Sequence, residues 1–566
     1  MGRRLRAIDI YSGVGGWGLG LRMAGIDVVA AYDHWHAAND TNSKNNGHTT
    51  QTVDVRSLPL RALPTNIDIV VGSPPCTEFS FSNRGGNGDI DDGLEHVIKF
   101  LSIVAFLKPR AWAMENVPRM ADILETELHS QRRLARFAKL GIRYEIFDMA
   151  QFGLPQRRRR CIAGSFDFDL LRSYAAATET ITLGKVVKAL GRVRNIRDPI
   201  YNLCIARSEL RDHLPTDFLN DEELRINHAR KQLHPVYNDM PFPDPLDRTV
   251  RTITAVCTRV SRESIIIEDP PHSGRVRRLT IRERACMQGF PVNFQFYGDS
   301  YGSKLRMVGN AVPPLFALYI GQAFRGVPRR KIRRPAQAIA AFGAPTMPSK
   351  DVLPDRRRAS YPWERTFCFA IPTLRMKSGV RCELRNVQKS NMIGWKIALV
   401  FGTPRFIYEL PFDPSLFDRM LPCLADRTAA KLKTRLDSVR TLIRTADVAH
   451  MQDVWSHRGP GGLRPFTLID KLSDAAQDVI DLLARNEALA RQILAASLDK
   501  SFGRKSKTLA GAAKLSRNAP VVLAGILIGT VANVEFARHG MQPHPDLRMR
   551  RPMVRVRPKL KRAAHG

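Results

Sequence analysis

The stretch GSPPC, residues 72–76, ends in a cysteine that two consecutive prolines hold in one direction. Proline fixes φ and lacks an amide donor, so Pro74 and Pro75 leave Cys76 little freedom at the end of the apolar run IDIVV. A structural cysteine sits among apolar neighbours. This one is followed by Thr77, Glu78 and the glycine-rich FSFSNRGGNGD, and a thiol between a stiff step and a polar loop reads as a nucleophile. Glu115, in AWAMENVPRM, supplies a carboxylate able to bind or protonate a substrate ring nitrogen, with Asn116 beside it and Pro118 closing the turn. In GLPQRRRRCIAG, Gln156, Arg158 and Arg160 alternate, so they share one face of an extended chain. Four consecutive arginines equally suit a phosphate-binding or solvated stripe.

A second constellation lies nearer the N-terminus. IDIYSGVGGWGLGLRMAG places Gly13, Gly15, Gly16, Gly18 and Gly20 between an apolar strand and an apolar helix, where missing side chains let a nucleotide-like ligand approach backbone amides. A tight turn without a ligand would have the same composition. Asp33 follows about 20 residues on, at the end of the next strand, where a carboxylate accepts from ribose hydroxyls. Asp54, in TVDVRS, is placed to accept from an adenine amino group. Each aspartate alone equally suits a turn or a helix cap; together they outline an adenosine pocket.

The elements that must hold these groups are short apolar runs, AIDIY, GIDVVAAY, NIDIVVG, RAWAMENV and YEIFD, alternating with helix-like segments. That rhythm predicts a parallel sheet with helices on both faces. Ligands in such sheets sit at the carboxyl ends of the strands, where the glycines, Cys76 and Glu115 fall. With 566 residues the chain exceeds one ordinary core. Its 88 Lys and Arg against 54 Asp and Glu give a formal charge of +34, so a polyanion is the expected partner, nucleic acid before an anionic membrane surface. The eight cysteines show neither Cys-x-x-Cys pairs nor zinc-finger spacing, so neither a disulfide framework nor a structural metal is expected. NAPVVLAGILIGTVANV, residues 518–534, is short for a membrane span and reads as a buried core helix.

Six ordered blocks resemble the DNA (cytosine-5) methyltransferase family of bacterial type: IDIYSGVGG, GSPPC, MENV, QRRRRCIAG, RRLTIRERACMQGFP and VGNAVPP, which together bracket residues 5 to about 320. The resemblance implies a Rossmann-like α/β methyltransferase sheet and a smaller target-recognition lobe; the C-terminal part, which it does not cover, reads as an α+β extension from β-rich stretches followed by helical patterns. It implies S-adenosylmethionine as methyl donor, held by Tyr11, Gly13, Gly15, Gly16, Asp33, Asp54, Pro75, Asn310 and Val312, and no metal. It implies that Cys76 attacks carbon 6 of a cytosine flipped from duplex DNA, that Glu115 holds ring nitrogen 3, and that Arg158 and Arg160 steady the base and the thiolate. A ring carbon needs such an adduct because, unlike an exocyclic amine, it has no lone pair of its own. The loop over 79–95 is expected to close over the base. Tyr11 stands where the family usually has Phe, Asp33 where it has Glu, and Thr77 where it has Gln.

On this reading residues 1–165 and 276–327 form the donor-binding catalytic domain, and 166–275 is the target-recognition region, where DRTVRTITAVCTRVSRES offers groups suited to base edges. Residues 328–360 are a basic linker, 361–540 an accessory domain and 541–566 a basic phosphate-binding tail. In the accessory domain Leu432, Leu436, Val439 and Ile443 form an apolar helix face interleaved with Lys431, Lys433, Arg435, Arg440 and Arg444. The expected protein is a cytoplasmic, nucleoid-associated monomer, with a cognate restriction endonuclease as companion by family habit. The competing readings are a tRNA cytosine-5 methyltransferase and a non-catalytic DNA-binding protein.

Overall fold

The computed structural model describes residues 3–79, 88–129, 131–210, 212–233, 239–342, 353–376, 379–403, 406–459, 461–503 and 512–543. Contacts divide the chain into two compact units, residues 1–228 with 241–357 and residues 229–240 with 358–566.

The first unit is built on β1 (Arg6–Ile10), α1 (Gly16–Met23), β2 (Asp27–Asp33), α2 (His36–Asn46), β3 (Thr50–Thr52), β4 (Ile69–Gly72), α3 (Ile90–Leu107), β5 (Ala111–Asn116), α4 (Arg119–Glu127), β6 (Arg143–Asp148), β7 (Gln156–Arg157) and β8 (Arg159–Ser165). Seven strands form one sheet in the order β3-β2-β1-β4-β5-β8-β6. Alternate side chains serve two cores. Ala7, Ile69, Val71 and Ala113 face one, while Ile8, Ile10, Val70, Trp112 and Met114 face the other. Burial on both faces is why these strands read as unbroken apolar runs. The strand order turns at β1 and β4, whose carboxyl ends lie at one edge, the usual ligand position in open α/β sheets.

The parallel arrangement read from the sequence holds for β1 to β5 and fails at β8, which runs antiparallel to β5 and β6. Because of this reversal β8 begins where β5 ends, with Cys161 opposite Asn116 and Ile162 opposite Glu115. The loop read over 79–95 is also shorter than expected. Residues 80–87 lie outside the described residues, and α3 begins at Ile90, capped by the Asp89 carboxylate, which accepts from Asp91 N at 3.1 Å and Asp92 N at 3.2 Å.

Residues 166–275 carry short helices and ribbons, and β7 takes Val250–Arg251 as a parallel partner. Two arginines of the segment read for base edges are spent internally: Arg251 pairs with Asp244, and Arg259 Nε lies 2.8 Å from Glu223. Helices Ile281–Met287, Tyr301–Asn310 and Pro314–Phe324 complete the core. Thr280 and Glu283 cap the first of them reciprocally. The stretch read as a linker from 328 continues this unit. Gln322 and Arg333 exchange hydrogen bonds, Gln322 Oε1 accepting from Arg333 N at 2.7 Å, and helix Pro335–Phe342 buries Ala338 and Ile339 in the first core. Its Pro, Ala and Arg content suits a small-residue edge helix behind a solvated basic run as well as it suits a linker.

The second unit contains an antiparallel sheet of Cys368–Arg375, Arg381–Lys389, Met392–Thr403 and Phe406–Leu410 in chain order. Gln542–Pro543 pairs with Met392–Ile393, so the segment read as tail from 541 starts in the sheet, and residues 544–566 lie outside the described residues. Helix Ala519–His539 is long and apolar enough to cross a membrane, yet it is mostly buried in this unit. A Cβ on Gly525 would lie 2.4 Å from Cys382 Sγ, and one on Gly529 2.3 Å from the Phe412 ring, so these glycines serve close packing. In helix Asp426–Arg444 the apolar face is buried as expected, while the basic one is partly neutralised: Arg435 meets Asp478, and Arg440 and Arg444 meet the buried Glu535.

Candidate active site

β1 delivers the chain into a turn with positive φ at Tyr11, Gly13 and Gly15, of 60°, 52° and 86°. A Cβ on Gly15 would lie 2.1 Å from Asn42 Oδ1, and one on Gly16 would lie 2.0 Å from the Val312 carbonyl oxygen. At Gly13 a Cβ would meet nothing within 4 Å, so the backbone there is open to a ligand. The Asp33 carboxylate accepts from Gly13 N at 2.9 Å and Trp35 N at 2.8 Å, which orders the turn. Tyr11 places its hydroxyl 3.1 Å from His96 Nδ1; burial and then Asp54 push this phenol well up. Asp54 is exposed, accepts from Arg56 N at 3.0 Å and is held below the usual carboxylate range by Arg56. Asn310 stands exposed at the end of its helix. Direct contacts thus unite Gly13 with Asp33 and Gly16 with Val312, while Tyr11 and Asp54 meet through charge.

The Pro-Pro step leaves the end of β4 and is tied to both neighbours. Trp17 Nε1 of α1 donates to Ser73 Oγ at 3.1 Å, and Asn116 Nδ2 donates to Pro74 O at 3.1 Å. Pro75 and Cys76 are half-buried just beyond. Protein crowded around the thiol raises its pKa; Arg160 opposes that, Glu115 adds to it, and Arg158 opposes it. Glu115, 6% exposed, has Arg160 Nε at 2.9 Å from its Oε1. No N–H points along that line, so the contact is an ion pair rather than a hydrogen bond.

Arg158 stands one step behind. It is buried, and its guanidinium donates to the carbonyls of Ile253 at 3.4 Å, Gly309 at 3.3 Å and Ala311 at 3.3 Å. Burial, then Arg160, pull its pKa down to about 9. Gln156 completes the junction, accepting from Ile253 N at 2.9 Å and donating to Met287 O at 2.8 Å. Cys76, Glu115, Arg158 and Arg160 therefore converge at the carboxyl edge of the sheet, Cys76, Glu115 and Arg160 on one side and Arg158 among the late segments.

The family model for C-5 cytosine-specific DNA methylases matches residues 5–325. The chain belongs to this family. It is similar to the type II methyltransferase M1.HphI of Haemophilus parahaemolyticus, at 28% identity over 56% of this chain and 86% of that protein. It is similar also to M.HindV of Haemophilus influenzae, at 26% identity over 58% and 99%. Among solved structures, the Entamoeba histolytica methyltransferase EhMeth covers 57% of this chain and 99% of its own, at 16% identity and a TM-score of 0.41. The methylase match ends before residue 358, where the main part of the second unit begins.

Three polar groups beside the candidate site escaped the sequence reading. Asp9, fully buried in β1, has neither carboxylate oxygen in a well-formed hydrogen bond; burial and then Asp33 hold its pKa well above the carboxylate range, with the Gly18 amide opposing. An acid inside AIDIY, a strand apolar on both faces, was the available signal. Ser12 Oγ is buried behind the turn without a partner. Asn39, Asn42, Asn45 and Asn46 form a polar stripe on α2: Asn46 Nδ2 donates to Gly15 O at 3.1 Å and Asn39 Nδ2 to Asp33 O at 2.9 Å. Four asparagines at i, i+3, i+6 and i+7 oppose helix propensity, which signals tertiary work. Among the described residues no group of three or more His, Cys, Asp and Glu is arranged to hold a metal.

Since the Val312 carbonyl cannot yield to a methyl group, Gly16→Ala is expected to push the late block off α1. The variant should lose about 1–3 kcal/mol of stability and bind the methyl donor more weakly, as read by thermal melting and calorimetry. Unchanged donor affinity would deny Gly16 a role in the donor site.

Proposed function

We propose that the methylase transfers a methyl group from S-adenosylmethionine to carbon 5 of a cytosine that has left duplex DNA, with Cys76 as covalent nucleophile. The observation that carries this reading is the meeting of the Cys76 thiol with the Arg160–Glu115 pair at the carboxyl edge. The turn, open at Gly13 and backed by the unpartnered Ser12 hydroxyl, suits the donor. Tyr11, Gly13, Gly15, Gly16, Asp33, Asp54, Pro75, Asn310 and Val312 would hold it, and it supplies an electrophilic methyl group on a sulfonium.

The Cys76 thiolate adds to carbon 6, and the electron pair of the 5,6 double bond moves toward carbon 5. Glu115 shares a proton with ring nitrogen 3, which makes that shift easier. Arg160 steadies the base and the thiolate, and the Arg158 charge favours the thiolate from behind. Once carbon 5 carries the methyl group it loses its proton, and the carbon–sulfur bond breaks to return the thiolate. The type II names of the relatives extend the proposal to a companion endonuclease.

Tritiated donor offered with duplex DNA and total tRNA side by side should label the DNA, and label in tRNA alone would overturn the duplex reading. Because the Cys76 pKa is raised, the thiolate fraction grows about tenfold per pH unit through neutrality. Single-turnover methylation should climb with it, as read by rapid quench on a preformed DNA complex. A flat profile would show that this thiol does not titrate on the way to product.

A further inference from the structure

Three buried guanidinium groups gather around the segment 253–264, one of them its own. Arg259, Arg278 and Arg284 are 6%, 3% and 1% exposed. Two buried carboxylates pair with them, and the exposed Asp217 acts on Arg259 from the solvent side. Glu223 takes Arg259, and Asp355 is shared between Arg259 Nη1 at 3.4 Å and Arg278 Nη1 at 3.1 Å. Among the described residues no carboxylate lies within ion-pair distance of Arg284. Its Nε donates to Leu279 O at 3.4 Å, and its Nη2 is buried with no acceptor. Among the buried groups three positive charges face two negative ones, an excess that a protein interior tolerates poorly, and Arg284 is the one left without a carboxylate.

The group placed to balance it is Cys257, itself 8% exposed. Arg278 Nη2 donates to Cys257 O at 3.1 Å and lies 3.4 Å from Cys257 Sγ. The other polar neighbours are Ser264 and Tyr301, whose ring lies 4.8 Å from the Arg278 guanidinium carbon. Neither brings a negative charge.

We propose that Cys257 is a buried thiolate, the third anion of this cluster, and that its charge makes it a positioning residue for methyl transfer. Burial opposes ionisation of this thiol, but Arg284 and Arg278 outweigh it and hold its pKa below the ordinary range. In contrast, burial raises the thiols of Cys76, Cys161, Cys286, Cys368 and Cys382.

The link to the reaction runs through five residues. Ile253 accepts from Arg158 and donates to Gln156, both at the catalytic edge. Ala255 lies so close to Gly309 that a Cβ there would fall 2.3 Å from Ala255 N. The segment is thus pinned at Ile253 by the Gln-x-Arg junction and at Cys257 by the arginine cluster. Between these pins Val256 is 73% exposed, held out to solvent on a fixed backbone. Loss of the Cys257 charge frees one pin, and Arg158 with it. The charge assignment stands by itself; its catalytic consequence rests on the proposed Cys76 chemistry.

The test uses the full chain with Cys257→Ser, which keeps the shape and removes the charge, and Cys257→Asp, which restores an anion. At neutral pH the wild type should show the ultraviolet band that thiolates have and thiols lack, and Cys257→Ser should lose it while Cys76→Ser keeps it. Cys257→Ser should methylate roughly 10- to 100-fold more slowly, with Cys257→Asp recovering most of the rate. Adding Arg284→Met to Cys257→Ser should also recover it, because the orphaned charge is then gone. A band unchanged in Cys257→Ser, or a serine variant as active as wild type, overturns the proposal. Equal loss in the serine and aspartate variants with no recovery on adding Arg284→Met overturns it too. The ultraviolet band is read without DNA, so failure of the Cys76 mechanism would leave it in place and be seen separately.

Discussion

Replacing Cys76 by serine is expected to stop methylation, with a rate loss of roughly 10³-fold or more. The substitution keeps the Pro-Pro step and nearly the same volume, so the fold and the donor site should be untouched. The change is chemical: a serine hydroxyl stays protonated, whereas the Cys76 thiol, though burial raises its pKa, still supplies a thiolate fraction that Arg160 and Arg158 favour. Carbon 5 of cytosine has no lone pair to offer, so without addition at carbon 6 the methyl group meets no nucleophile. The measurement is tritium transfer to duplex DNA, with trapping on a duplex bearing 5-fluorocytosine, where elimination is blocked because carbon 5 carries fluorine in place of the departing proton. Wild-type protein should form an adduct that survives denaturation, mapping to Cys76, and the serine variant none. A serine variant that methylates at the wild-type rate sinks the covalent route.

Glu115→Gln should lower the turnover rate by about 10²- to 10⁴-fold while leaving donor affinity near that of the wild type. Glutamine fills the same space at the end of β5 but cannot share a proton with ring nitrogen 3. The same change also strips Arg160 of its partner at 2.9 Å, and the remaining charge is only 14% exposed, so a loss of stability is expected as well. The two effects separate in the readout. Melting reports the orphaned arginine, whereas single-turnover rate on bound DNA at a temperature well below the melt reports the chemistry. A variant that melts early yet methylates at full rate would make Glu115 a partner for Arg160 only.

Much of this site was legible in the chain because its chemistry is local. Pro74, Pro75 and Cys76 act through three consecutive backbones, and the turn over Gly13–Gly16 uses glycine where φ is positive, at 13 and 15, and where a Cβ would fall 2.0 Å from the Val312 carbonyl oxygen, at 16. The strands around them show as apolar runs because both faces are covered. Less legible were groups whose purpose depends on distant partners. Arg158 and Arg160 occupy equivalent places in an alternating pattern, yet one reaches carbonyls of residues 253, 309 and 311 and the other reaches Glu115. Arg251 and Arg259 have the composition of a recognition surface and are occupied by Asp244 and Glu223. Composition counts charges; only packing says which are already spent.

By itself the sequence determined the order of strands and helices in the first half, the direction imposed on Cys76, the glycine turn and the six blocks that place the chain among the C-5 cytosine-specific methylases. These follow from short-range stereochemistry, which neighbouring residues suffice to specify. The tertiary structure alone decided that β8 runs antiparallel and so starts beside Glu115, that residues 328–342 belong to the first unit, and that three buried arginines meet two carboxylates and a thiol. Each depends on groups far apart along the chain. Pairing direction and charge balance are properties of contacts, and contacts exist only once the chain has closed on itself.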